Sequence, residues 1–280
     1  MFSFTSSQQF LDTLGIHIDL FRFILIGGLI FTRLFILALF VPFLGGRPVP
    51  GRIRITIAVL LMLFFFPAVS SSAVDLLPSQ QGAGFLFVLF LKEMLVGMLI
   101  GMPLVFLFYG IQSAGNMVDN QRQLANARIF NPALGSQASL FGVFYYQLAL
   151  VSFIAIGGHR MFIMGIGESF QMVPILKMPD IQPGLTPLIE LIIRLTADTL
   201  IICLQLSAPI LIAIFIADLI LGLTNRVAPM INVFEMGFNI KGFVGMLLGY
   251  FSLPIVYEQM KVWFLKTLQV SQQILQQFLQ

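Results

Sequence analysis

Apolar residues form long runs along this chain, and short polar connections separate the runs. A helix that spans a membrane needs about 20 mainly apolar residues, because the hydrocarbon core of a bilayer is about 30 Å thick. Six runs reach that length, and they are residues 21–44, 53–77, 85–111, 140–166, 188–221 and 238–257. The pattern therefore predicts an all-α, polytopic membrane protein.

Composition excludes a water-soluble enzyme. Hydrophobic residues make up 58% of the chain and charged residues 10%, whereas an ordinary soluble domain has about 25% charged residues. The formal net charge of +3 is too small to predict binding to nucleic acid. The motifs of zinc proteases, serine hydrolases and nucleotide-binding loops are missing from the sequence. We therefore predict a protein that is not an enzyme and holds no cofactor or metal.

Charged residues interrupt several apolar runs. Arg33 lies in the first run, Lys92 and Glu93 lie in the third, and Asp218 lies near the end of the fifth. A charge at the centre of a bilayer costs roughly 2.5 to 3.5 kcal/mol on insertion scales. We therefore expect these side chains to face protein instead of lipid.

Three further charges share one face of a predicted helix. Glu190, Arg194 and Asp198 are spaced four residues apart, so they can pair with each other. Both a structural ladder of ion pairs and an ion pathway fit this spacing. Together with helices broken at Pro103 and Pro209, the ladder motivates one alternative function, a secondary transporter for a small solute.

Glycine spacing and the end of the chain both indicate contacts with other helices. Gly97 with Gly101, and Gly245 with Gly249, form two G-x-x-x-G pairs, which allow helix backbones to approach closely. Residues 258–280 have an amphipathic pattern with glutamines on the polar face. Glutamine in place of lysine favours a protein partner over anionic lipid.

The segment between the third and fourth runs, residues 112–139, is rich in Asn, Gln and Ser but has few charges. Asn131 and Pro132 predict a turn within it. Polar, irregular backbone at membrane depth is tolerated where it is packed in protein or lines a water-filled cavity. Two interpretations remain open, namely a simple surface loop and a loop that lines or closes a pore.

Three motifs follow one another along the chain. They are Arg33 with residues 41–46 and 49–54, then residues 114–115 and 119–122 with 130–132, and then Ala208-Pro209, Asp218, Gly222-Leu223, residues 226–229 and residues 232–234. In this order the motifs resemble the FliR/SctT family of type III export-apparatus proteins. The match runs from about Arg33 to Gly249, and the acidic-Asn-Gln-Arg form of the second motif resembles injectisome members more than flagellar ones. Gln123 departs from that pattern, which usually has Gly there.

The resemblance implies a fold of long, kinked helical hairpins, with a FliP-like half and a FliQ-like half, in a helical export-gate assembly. Residues 1–185 would form N-terminal hairpins with a central plug loop at 112–139. Residues 186–257 would form a hairpin like the small FliQ/SctS-type subunit, and 258–280 the amphipathic helix. The chain would be an export-gate subunit of the bacterial inner membrane, in contact with lipid and present in one copy.

The resemblance also implies partners. FliP/SctR-type and FliQ/SctS-type subunits would complete the channel, FlhB/SctU-type subunits would surround its opening, and unfolded proteins would pass through it. Lys92, Glu93 and Asp218 would then pair with neighbouring subunits.

Finally, the resemblance assigns site residues in two places. A cytoplasm-facing turn would include Arg226, Pro229 and Asn232, together with Lys241. The plug would be formed by Asp119, Asn120, Gln121, Arg122, Asn126, Arg128, Phe130 and Asn131.

Overall fold

The computed structural model describes residues 20–45, 49–72, 83–122, 139–178 and 186–277. Within these ranges the chain is all-α, as predicted. The helices are α1 (Leu20–Phe40), α2 (Pro42–Gly45), α3 (Gly51–Ser72), α4 (Ala83–Gln121), α5 (Leu140–Ala155), α6 (Gly158–Met172), α7 (Thr186–Val227) and α8 (Val233–Gln277).

Three of these helices are much longer than a membrane span requires. α4 has 39 residues, α7 has 42 and α8 has 45. α8 continues without a break from Val233 into the Gln-rich end of the chain. Among the described residues, five helices are long and apolar enough to cross a membrane, or six spans if α5 and α6 count as one bent span. The predicted polytopic architecture is thus confirmed.

Prolines inside the long helices do not interrupt them. Pro103 lies within α4, Pro209 within α7 and Pro254 within α8. A proline removes one backbone hydrogen bond, but each of these helices continues through its proline. The broken helices on which the transporter alternative depended are therefore absent from α4 and α7.

The fourth apolar run, in contrast, is broken. α5 and α6 meet at an angle of 70°, and Gly157 between them has a φ of 76°. Glycine adopts this left-handed conformation without the penalty that a side chain brings. The single predicted span at 140–166 is therefore two helices.

The chain divides into two compact units. The first combines Met1–Met102, Phe162–Gln182 and Val270–Gln280, and in it α1 packs against α3. Gly97 of α4 packs on α1, because a Cβ atom at this position would lie 2.6 Å from the carbonyl oxygen of Arg33. The close packing predicted for this glycine is confirmed.

The second unit combines Pro103–Met161 and Pro183–Gln269. The rings of Phe108, Phe153 and Phe264 form its aromatic core, with centroids 5.2 to 5.8 Å apart. In α8, a Cβ atom added to Gly245 would lie 2.6 Å from Cδ of Arg122, and one added to Gly249 would lie 2.7 Å from the ring of Phe141. The second glycine pair therefore also marks close packing.

Candidate functional site

The buried carboxylate of Asp119 connects the end of α4 to the residues that begin α5. Asp119 lies in the last turn of α4, and it is 3% exposed. Its Oδ2 atom accepts hydrogen bonds from Ser139 Oγ at 2.5 Å and from the backbone N–H of Phe141 at 2.8 Å. Ser139 is also the N-cap of α5, since its Oγ accepts from the N–H of Gly142 at 2.8 Å. Asp119 thus ties the end of α4 to the beginning of α5.

Arg122 extends this arrangement to α8. Its Nη1 atom lies 3.3 Å from Asp119 Oδ1, and its Nη2 atom donates to the carbonyl oxygen of Gly242 at 3.1 Å. The guanidinium also lies 5.0 Å from the centroid of the Phe141 ring, a cation–π distance. We call Asp119, Arg122, Ser139 and Phe141, with the Gly242 carbonyl, the loop clamp.

Small residues make the loop clamp possible. A Cβ atom at Gly115 would collide with the backbone of Phe141, and one at Gly245 would collide with the side chain of Arg122. A larger residue at either position would separate the elements that the clamp joins. The clamp therefore depends on glycines in both α4 and α8.

The structure describes half of the predicted plug residues. Asp119 and Arg122 are buried in the loop clamp, whereas Asn120 and Gln121 are exposed at the end of α4. Four predicted plug residues lie outside the described residues, and they are Asn126, Arg128, Phe130 and Asn131. Sequence reasoning missed Ser139, although a serine directly before an apolar run is a signal for a helix N-cap.

A second buried polar cluster lies in the first unit. Arg33 Nε is 2.5 Å from Glu93 Oε2, and both side chains are fully buried. Lys92 Nζ lies 2.7 Å from Glu93 Oε1. The expectation that Lys92 and Glu93 pair with neighbouring subunits is therefore wrong, because one carboxylate within the chain binds both cations.

The same two cations bind the end of α6. Arg33 donates to the carbonyl oxygens of Ser169 at 3.0 Å and Val173 at 2.9 Å. Lys92 donates to the carbonyls of the three residues Pro174, Ile175 and Lys177, at 2.8, 2.9 and 3.2 Å. Four of these five carbonyls belong to residues 173–177, which directly follow α6, so the two cations hold this segment against α1 and α4.

A third ion pair joins α7 to α8. Lys241 Nζ contacts Asp218 Oδ1, and the side chain of Lys241 is 7% exposed while that of Asp218 is 35% exposed. The chain thus provides one partner for Asp218, and the expectation that Asp218 pairs with a neighbouring subunit stays a prediction, because part of its carboxylate is still exposed. Lys241 is not part of the turn, because it lies within α8 and is buried.

Of the other predicted turn residues, Arg226 lies in the last turn of α7, and Pro229 and Asn232 lie between α7 and α8. Arg226, Pro229 and Asn232 are all exposed. Asn232 also caps α8, since its Oδ1 accepts from the N–H of Glu235 at 3.4 Å and its Nδ2 donates to the Glu235 carboxylate at 3.3 Å. Asn232 is therefore the N-cap of α8, so it has a structural role in addition to its exposed position.

Two of the three residues of the predicted charge ladder on α7 are exposed, and the third contacts α8. Glu190 and Arg194 are exposed, and Asp198 Oδ1 lies 3.4 Å from Lys266 Nζ of α8. In the part of the chain that the structure describes, no group of three or more His, Cys, Asp or Glu residues is positioned to hold a metal ion.

Comparison with known proteins adds a family and several relatives. The family model for bacterial export proteins, family 1, matches residues 24–267. The flagellar biosynthetic protein FliR of Bacillus subtilis is 29% identical over 259 residues, which cover 92% of this chain and 96% of that protein. The Yop proteins translocation protein T of Yersinia pestis is 32% identical over 190 residues, covering 67% and 70%. The surface presentation of antigens protein SpaR of Salmonella typhimurium is 26% identical over 240 residues, covering 85% and 87%. Because a flagellar protein is among these relatives, the injectisome subtype stays a prediction.

Proposed function

Because this chain belongs to the family of bacterial export proteins, family 1, we propose that it is one subunit of a type III protein export gate. The resemblance to the FliR/SctT family is confirmed, and the chain is a multi-pass protein of the bacterial inner membrane within the export apparatus. In the proposed gate, one copy joins SctR-type and SctS-type subunits around a channel for unfolded proteins. Its role there is structural and involves no catalysis.

The length of the apolar helices carries this proposal. Three helices contain candidate membrane spans of 38 or 39 residues, Gly84–Gln121, Ile189–Val227 and Val233–Val270. At about 1.5 Å per residue, each stretch is about 57 Å long, whereas a bilayer core is about 30 Å thick. Even a tilt of about 40° leaves a projected length of about 44 Å. Part of each stretch must therefore lie outside the hydrocarbon.

Exposed apolar side chains occur near both ends of the stretches in α7 and α8. In α7, Ile193 is 63% exposed and Leu223 is 64% exposed, and their separation along the helix is about 45 Å. In α8, Phe234 and Leu265 are 61% and 48% exposed at a similar separation. One bilayer cannot cover both ends of either helix, so other protein chains must cover the remainder. An assembly of export subunits supplies such chains.

The loop clamp supports the second part of the proposal, that residues 112–139 include the plug of the channel. Asp119 binds both Ser139 and Phe141, so the described residues that precede and follow residues 123–138 are held at one point of the second unit. The sequence of residues 123–138 is polar and has few charges. A plug must exclude ions and yet release a sliding chain of any sequence, and many weak polar contacts serve both requirements.

The exposed turn between α7 and α8 is suited to contact with the FlhB/SctU-type subunit. Met230 is fully exposed, and Val227 is 79% exposed. We assign this turn, with Arg226, Pro229 and Asn232, to contact with the FlhB/SctU-type subunit. An apolar tip with polar neighbours has the composition of an interface core and its rim.

Copurification tests the assembly. We expect the tagged chain, expressed with SctR-type and SctS-type subunits, to retain both in mild detergent. If it is instead recovered as a well-behaved monomer that binds neither subunit, the proposed function is wrong.

Cross-linking tests the plug. With Cys203 replaced by Ser, one cysteine is placed at Asn126, and an export substrate with its own cysteine is arrested during export. We expect a disulfide between the substrate and position 126. The matched control is a cysteine at Leu60, which is 61% exposed on the apolar helix α3. Cross-links at position 60 without cross-links at position 126 would exclude the plug role.

Ion leakage gives an independent measurement of the plug. Deletion of residues 126–131 removes half of the proposed plug residues but keeps Asp119, Arg122 and Ser139. We expect the membrane of cells with this variant to leak small ions, because the loop clamp alone does not fill a channel. Unchanged leakage would indicate a passive surface loop.

A further inference from the structure

Asp218 presents a carboxylate on an otherwise apolar face of α7. Its side chain is 35% exposed, and it lies within the apolar stretch Ile189–Val227. Its neighbours Phe215, Leu219 and Ile220 are 58%, 58% and 61% exposed. Lipid cannot satisfy a carboxylate at such a surface, because hydrocarbon has no hydrogen-bond donor.

Lys241 satisfies only part of this carboxylate. Its Nζ atom contacts Oδ1 of Asp218, and among the described residues it is the one partner that the structure gives to this side chain. A carboxylate has two oxygens and about four acceptor sites, so acceptor capacity remains on the exposed side. The charges of the pair are already balanced, and a second cation would leave an excess positive charge in a medium of low dielectric constant.

The surface beside Asp218 leaves room for another helix to pack against α7. Gly222 lies one helical turn further along the same face, and no atom lies within 4 Å of the position that a Cβ atom would take there. A small residue at a helix surface allows another helix backbone to approach closely, and polar side chains then form hydrogen bonds across the contact.

From these three observations, we propose that Asp218 and Gly222 form a docking point for a membrane helix of another export subunit. The partner helix contributes an uncharged hydrogen-bond donor, namely the hydroxyl of Ser or Thr or the amide of Asn or Gln, to the free acceptor of Asp218. This inference rests on the proposed function, since it names how this chain recognises a neighbour in the gate.

Two double variants separate the hydrogen bond from the charge balance. Asp218→Asn with Lys241→Met is neutral and keeps an acceptor oxygen, whereas Asp218→Leu with Lys241→Met is neutral and has no acceptor. Asn and Leu have similar sizes, so the two variants differ mainly in hydrogen-bonding capacity. Each tagged variant is coexpressed with SctR-type and SctS-type subunits, and retention of the subunits is measured against the parent chain.

We expect the Asn variant to retain the subunits nearly as well as the parent and the Leu variant to bind about 3- to 15-fold more weakly, the range that corresponds to a hydrogen bond between membrane helices. Circular dichroism of both variants checks that the helices are intact. Equal retention by the two variants would overturn the inference and leave Asp218 as a counter-ion of Lys241 alone. A parent chain that retains neither subunit would instead overturn the proposed function, and the inference with it.

A cysteine at Gly222, in a chain with Cys203 replaced by Ser, identifies the occupant. A disulfide to a cysteine introduced in a helix of the SctR-type or SctS-type subunit supports the inference. A disulfide between two copies of this chain, or reaction with a lipid-soluble thiol reagent alone, would overturn it.

Discussion

Glu93 holds an unusual position at the scale of single residues, since among the residues that the structure describes it is the one carboxylate in contact with two buried cations, Arg33 and Lys92. The cluster carries a net charge of about +1, which the carbonyl oxygens at the end of α6 help to offset. A buried charge is tolerated only when it is paired and hydrogen-bonded. The stability of the first unit therefore depends strongly on this carboxylate.

Replacing Glu93 with Gln is expected to destabilise the chain by about 3 to 5 kcal/mol, because it leaves two unbalanced cations in the interior. Unfolding of the purified chain in mixed detergent micelles measures the change. Adding Arg33→Met to this variant should restore part of the stability, since the net charge of the cluster returns to its original value.

Arg52→Gln is the control for the loss of one formal charge at an exposed site, because Arg52 is exposed at the beginning of α3. It should change the stability by no more than about 0.5 kcal/mol. Equal effects of Glu93→Gln and Arg52→Gln would show that the buried network does not stabilise the chain.

The sequence was sufficient to predict that these charges face protein, because the cost of placing them in lipid does not depend on the fold. Their partners could not be predicted. Glu93 lies 60 positions from Arg33, and Val173 lies 140 positions from it. Such contacts depend on how the helices are arranged, so the sequence suggested pairing between subunits where the fold provides partners within the chain.

At the scale of helices, glycines determine which surfaces pack closely. A Cβ atom at Gly97 would lie 2.6 Å from the carbonyl oxygen of Arg33, whereas a Cβ atom at Gly84, in the same helix, would have no atom within 4 Å. A backbone carbonyl cannot move aside as a flexible side chain can. Gly84 and Gly97 are therefore expected to respond differently to the same substitution.

Gly97→Ala should destabilise the chain by about 1 to 3 kcal/mol, because the new methyl group separates α4 from α1. Gly84→Ala should be neutral or slightly stabilising, because alanine favours a helix by up to about 1 kcal/mol over glycine. Thermal unfolding of the two variants gives the signs. If Gly97→Ala is as stable as Gly84→Ala, the close contact between α1 and α4 is not formed.

The existence of the helices was predictable from apolar runs of about 20 residues, but their lengths were not. A length criterion based on the bilayer ends each helix where lipid would end, whereas α7 and α8 continue to 42 and 45 residues. The break between α5 and α6 had a visible signal in Gly157 and Gly158. A search for long apolar runs passes over that signal, although the polar residues His159 and Arg160 follow the two glycines directly.

At the scale of the whole molecule, the chain exposes more apolar length than one bilayer covers. For the lone chain in a vesicle, a thicker bilayer covers more of the long helices, so its stability should rise with the length of the lipid acyl chains. In the assembled gate, protein covers the same surfaces. The stability of the assembly should therefore respond little to bilayer thickness.

The measurement is the midpoint temperature of unfolding for the lone chain and for the copurified assembly in vesicles whose acyl chains range from about 14 to about 22 carbons. We expect the midpoint of the lone chain to rise with acyl length and that of the assembly to stay nearly constant. A parallel rise in both would mean that lipid covers the helix ends even in the assembly. The apolar length of α7 and α8 would then reflect adaptation to a thick or deformed bilayer instead of contact with other subunits.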